Sequence, residues 1–183
     1  MRIAALILAA GLAFTLGGCV KDDGPIVPKP LPSSTPIFAS DEEALAAAEE
    51  AYGDYQAVED QISADGGANA TRINEVSTGA ALTAALEGFQ KYVAGEYHST
   101  GVTGFEFSGL QQYLERSADG LGVVAAYVCL DLTAIDVLDA ANSSIVSPSR
   151  PDFQAFEVSF DMVDGQLLLA ARDPWTGSGV CAQ

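Results

Sequence analysis

The sequence predicts an α+β fold, with helices in the first half of the folded part and an antiparallel sheet in the second. Three observations carry this. Apolar residues recur every three or four positions up to Gly95, they alternate with period two after it, and an Asp164-Gly165 pair separates the last two alternating runs.

Ser40 followed by Glu43 matches the capping-box pattern, and Asp41, Glu42 and Glu43 put negative charge where a helix dipole favours it. The helix that opens there carries Leu45, Ala48, Tyr52, Tyr55 and Ile62 on one face, and Asp65-Gly66-Gly67 ends it. Tyr52 and Tyr55 are expected in the core, with the lining of a cavity as the alternative. Positions 71–76 add a turn of helix. A second helix is expected over 78–94, with Leu82, Leu86, Phe89 and Val93 as its stripe and Gly95 as its stop.

Beyond Gly95, positions 102–114 hold Phe105, Phe107 and Tyr113 on one face of a strand. Positions 121–138 form one long apolar, β-branched run, and 153–162 alternate around Phe156, Val158 and Phe160. The Asp164-Gly165 turn then leads into a strand over 166–172. Gly101, Gly104 and Gly109 fall inside a strand-like segment, so they mark bulges or bends of a curved sheet. A phosphate-cradling loop would need a strand before the glycines and a helix after them.

The N-terminal end reads as a processing signal. Arg2 supplies a positive start and positions 3–14 are an uncharged apolar run, shorter than the roughly 20 residues that span a bilayer. Leu16-Gly17-Gly18-Cys19 follows at once and resembles the lipobox of bacterial lipoproteins, where small residues admit the peptidase and the cysteine thiol takes the lipid. Residues 1–18 are therefore expected to be a lipoprotein signal peptide, and Cys19 an acylated, palmitate-bearing N-terminus. Two acyl chains hold a domain stably on a membrane where one does not. The rest of the chain then belongs on the extracytoplasmic face of the cell membrane, within the cell envelope. Pro25, Pro28, Pro30, Pro32 and Pro36 make positions 19–39 a tether, extended at about 3.1 Å per residue, ahead of a domain over 40–183.

With 25 acidic and 8 basic residues the chain carries a formal charge of −17, and loss of the signal removes Arg2 but no acid. Such a surface repels nucleic acid and stands off anionic lipid headgroups. Two cysteines remain besides Cys19. In an oxidising compartment Cys129 and Cys181 are expected to pair, closing a loop of about 50 residues worth about 4 kcal/mol. The alternative is two buried free thiols, since a sequence carries no distance between them.

His98 has the right chemistry for a general base, but it is the lone histidine and has no recognisable partner in the sequence. No spacing of cysteine and histidine suits zinc, and Asp60 and Asp65 lack the alternating ligand run of a calcium loop. No metal and no cofactor are expected.

The order of elements, with Tyr127-Val128-Cys129-Leu130-Asp131-Leu132-Thr133 and the late Trp175-Thr176-Gly177-Ser178-Gly179-Val180-Cys181, resembles the NTF2-like lipoproteins of high-GC Gram-positive bacteria over about 40–183. That resemblance implies helices packed into the concave face of a curved sheet, as a cone, and a central-strand cysteine paired with one near the C-terminus. The cone serves steroid isomerases, dehydratases, transport adaptors and binding modules alike, so it does not name an activity. Two readings follow. The preferred one is a non-enzymatic module that binds a small apolar ligand or docks on another envelope protein. The alternative is a small isomerase or dehydratase whose Asp131, Tyr127 or His98 converge on a pocket that Tyr52 and Tyr55 help to line.

Overall fold

The computed structural model describes residues 35–181. The expected signal peptide, Cys19 and the tether up to position 34 lie outside the described residues.

The first helix, α1, runs Asp41–Ala64, and its start is held as the sequence predicts. The Ser40 side chain accepts from the Glu43 amide at 3.2 Å, and the Glu43 carboxylate reaches back to the Ala39 amide at 2.8 Å. A 3-10 helix, Ala70–Glu75, precedes α2, Gly79–Gly95. The end of α2 differs from expectation, because Gly95 is its last helical residue and the left-handed cap is Glu96, with φ 52°. The buried stripe also shifts. Ala81, Ala85 and Phe89 are buried, Leu82 and Leu86 are half-buried, and Val93 is 60% exposed. The face with the smaller side chains lets α2 lie closer to the sheet, and the bulkier residues fall on its flank and outside.

Four strands form one antiparallel sheet in the order β2-β3-β5-β6, where β2 is Gly104–Tyr113, β3 Val124–Asp131, β5 Phe153–Val163 and β6 Gln166–Pro174. The short strands β1, His98–Thr100, and β4, Asp136–Leu138, pair as a second, two-stranded sheet. Helices followed by antiparallel strands confirm the α+β class. Asp164 and Gly165, both with positive φ, make the two-residue turn between β5 and β6.

The run over 121–138 is not one strand. It breaks after Asp131, whose carboxylate accepts from the Thr133 amide at 2.9 Å and the Thr133 hydroxyl at 2.6 Å. This local turn takes the chain out of the ladder, and the residues beyond it pair with β1 instead. On β2, Phe105, Phe107 and Tyr113 do share the helix-facing side. Two bulges, between Phe107 and Gly109 and between Leu110 and Gln112, each insert one residue and together restore the alternation. Gly109 sits at the first of these, as the expectation of a bulge requires.

The core lies between helices and sheet. Val124, Ala126, Val128 and Leu130 of β3 meet Ala44, Ala48, Tyr52 and Ile62 of α1, with Val158, Phe160 and Leu169 from the neighbouring strands. The other face of β3 carries Tyr127, Cys129 and Asp131. There Cys129 is bonded to Cys181, and the Trp175 ring lies 4.8 Å from that of Tyr127. The expected disulfide is present, and it draws the C-terminal segment across the sheet face away from the helices. Among the described residues no helix is long and apolar enough to cross a membrane.

Candidate functional site

A cleft of about 450 Å³ opens between α1, α2 and the end of β6. That volume falls in the range of small-molecule sites, roughly 300–1,000 Å³. On the α2 side the cleft is lined by Ala81, Ala84, Ala85 and Gly88, whose short side chains take up little of the space. Opposite, α1 presents Tyr55, Gln56, Glu59 and Asp60, spaced so that one helix face carries all four.

A polar network builds this wall. Arg172 of β6 donates to both oxygens of Glu59 at 2.9 Å each. The Tyr55 hydroxyl donates to the same carboxylate at 3.0 Å, and Gln56 Nε2 donates to Glu59 at 3.1 Å and to Asp60 at 3.1 Å. Asp60 also accepts from the Thr103 amide at 2.9 Å and its hydroxyl at 2.8 Å, which ties α1 to the segment between β1 and β2. The Arg172 guanidinium stands 5.3 Å over the Tyr55 ring and 5.6 Å over that of Phe156, in the range of cation-π attraction.

Burial works most strongly against the Arg172 charge, but the Glu59 carboxylate, with Tyr55 and Tyr52 beside it, outweighs burial and holds the guanidinium pKa above its ordinary value. Burial pushes the Tyr52 phenol up to about 12, with the Arg172 charge opposing the shift. The Tyr55 phenol is raised by burial and then by the adjacent Glu59, and the Tyr92 phenol is raised mainly by burial. Among the described residues two buried side-chain polar atoms have no hydrogen-bond partner, the Tyr52 hydroxyl and Gln56 Oε1. The amide of Gln56 cannot turn round to mend this, because its carbonyl would then face two carboxylates.

The five pocket residues named from the sequence do not converge. Tyr55 lines the cleft, and Tyr52, fully buried one turn earlier, packs edge-on against Phe105 and Phe107 behind it. Tyr127 and Asp131 lie on the opposite face of the sheet, one packed at a tilt against Trp175 and the other capping its own turn. Hydrogen bonds from Thr133 hold the Asp131 carboxyl below its ordinary pKa. His98 lies in a separate shallow recess with Asp65 and Tyr97. No group of three or more histidine, cysteine, aspartate or glutamate side chains suited to a metal occurs among the described residues.

Glu59, Asp60 and Arg172 were not singled out by sequence reasoning. A signal for Arg172 existed: it is one of only 8 basic residues and it ends the apolar run Leu167-Leu168-Leu169-Ala170-Ala171. A cation there needs a buried anion. Nothing in the sequence separates Glu59 and Asp60 from the other acids.

No protein-family model matches the chain, and no curated protein is significantly similar to it. Among solved structures it is similar to the intermembrane space region of the chloroplast protein ARC6, with a TM-score of 0.53 and 12% sequence identity. The likeness spans 72% of this chain and 96% of that one, and at such an identity it concerns the fold alone.

Proposed function

We propose that this chain is a lipid-anchored extracytoplasmic lipoprotein whose folded part is a non-enzymatic binding module, with the cleft between α1, α2 and β6 as its site. The observation that carries the binding reading is the commitment of the wall. Glu59 accepts four hydrogen bonds and Asp60 three, so the cleft offers a rigid recognition surface and not a base poised to move a proton.

The address rests on Leu16-Gly17-Gly18-Cys19 after its apolar run, and a disulfide in the folded part suits an oxidising compartment. The element order and the pairing of a β3 cysteine with one near the C-terminus support the resemblance to NTF2-like lipoproteins.

Two measurements test the two halves. Growth with an alkyne-tagged palmitate should label the wild type and leave Cys19→Ala unlabelled; an intact mass with residues 1–18 retained and Cys19 free sinks the anchor. Mass spectrometry of small molecules carried through purification should find one in the wild type that is missing when Gly88→Leu fills the cleft. Equal yields from both proteins sink the binding site.

A further inference from the structure

We infer that the cleft selects a small organic cation, an ammonium carried on an apolar body, and that Asp60 is its anchor. The inference rests on the cleft being a binding site and names the class of ligand it takes.

Charge is the first argument. Glu59, Asp60 and Asp173 line the cleft with Arg172, and Arg172 is spent on Glu59. Among the described residues no cation stands within ion-pair distance of Asp60. Its three accepted bonds leave one of the roughly four acceptor positions of a carboxylate open. A charge set into a wall without a counter-ion is costly unless something brings one.

Gln56 is the second, independent argument. It lines the cleft at 4% exposure, and its Nε2 is committed to Glu59 and Asp60. Among the described residues the carbonyl end of the same amide has no donor. An ammonium has three donors, and like other N–H cations it supplies both the charge that Asp60 lacks and the proton that Gln56 lacks. A neutral hydroxyl supplies only the second, and an anion neither.

The remaining walls set the body of the ligand. Phe89 and Tyr92 present aromatic surface and the alanines of α2 a smooth apolar floor. This favours a short alkyl or aryl chain over a polyol, and the rings add attraction for the positive head.

The test uses three matched probes on the purified full chain: 2-phenylethylammonium, 2-phenylethanol and 3-phenylpropanoate. Calorimetric titration should show the ammonium binding about tenfold tighter than the alcohol, and the carboxylate not at all. Asp60→Asn should erase that preference. Because Asp60→Asn also alters the Thr103 contact, Gly88→Leu gives a second handle; a Cβ at position 88 meets nothing within 4 Å, so a side chain can start there without a clash, and Gly88 lines the cleft. The leucine variant should abolish binding of all three probes. Equal affinity for ammonium and alcohol, lost in Gly88→Leu, overturns cation selection while the binding site stands. Tighter binding of the carboxylate overturns it in favour of Arg172. No binding of any probe overturns the ligand class, and the retained-molecule comparison then decides whether the cleft binds at all.

Discussion

Arg172 near the end of β6 and Glu59 in α1 grip each other through two parallel bonds of 2.9 Å, although 113 residues of sequence separate them. Their side chains are 24% and 19% exposed, so the pair is largely withdrawn from water. It joins the first helix to the last strand along the wall of the cleft. Two-armed geometry fixes orientation as well as distance, and the Tyr55 and Phe156 rings hold the guanidinium plane from its sides.

Truncating Arg172 to alanine leaves Glu59 without its counter-charge and removes the cap over two rings. The expected loss is about 3 kcal/mol, at the lower end for a broken buried pair because the site is partly wet. Replacing both partners, Arg172→Met with Glu59→Gln, should recover more than half of it. Urea unfolding of the two proteins checks this, and a double variant no more stable than the single one refutes the account.

Cys129 and Cys181 close a 52-residue interval, and loop-closure entropy sets the cost of opening it at about 4 kcal/mol. Trp175 is the chain's one tryptophan and packs at a tilt against Tyr127 within the segment the disulfide holds. Reduction, or Cys181→Ser, should therefore red-shift tryptophan emission before the core melts. Emission that changes only with global unfolding shows that the segment stays down unaided.

How far the sequence spoke depended on how local the cause was. Ser40 and Glu43 lie three residues apart, and their cap was legible because nothing distant competes with it. Asp131 was not legible as a strand end, since 121–138 is apolar enough for one long strand; the decision falls to a carboxylate that bonds its own backbone two residues on. Tyr55 was legible as an inward aromatic. Its partners were not, because Glu59 and Arg172 acquire their roles only when α1 and β6 meet. The narrow face of α2 was misplaced for a related reason: the leucines suggest a stripe, but close packing against β6 selects the alanines.

Gly101 and Gly165 separate two costs that a glycine can hide. Both have left-handed backbone, with φ of 88° and 84°. A Cβ on Gly101 would collide with the Ala134 carbonyl oxygen, while one on Gly165 meets nothing within 4 Å. Gly165→Ala should cost only the backbone strain, about 1 kcal/mol, and Gly101→Ala about 3 kcal/mol or more because two chain segments must part. Thermal unfolding of the two variants measures the difference, and equal losses mean that β1 and the 132–135 turn are not held together as described.

Alkaline pH reports on the wall behind the cleft. The Tyr52 phenol, pushed up to about 12 by burial, stays protonated in the fold where the unfolded chain has already ionised near 10.0. Between those values the unfolded state has released a proton that the native state keeps, so stability is full below pH 10 and falls as pH rises through the window. One tyrosine accounts for a slope of about 1.4 kcal/mol per pH unit, and Tyr55 and Tyr92, raised in the same direction, steepen it. Tyr52→Phe deletes a buried hydroxyl that has no partner, so at neutral pH it should leave stability unchanged or raise it. Above pH 10 the same variant should lose stability more slowly than the wild type. Urea midpoints taken across this range decide the matter: identical alkaline slopes in the two proteins, or all six tyrosines of the folded chain ionising together near 10, leave Tyr52 no part in it.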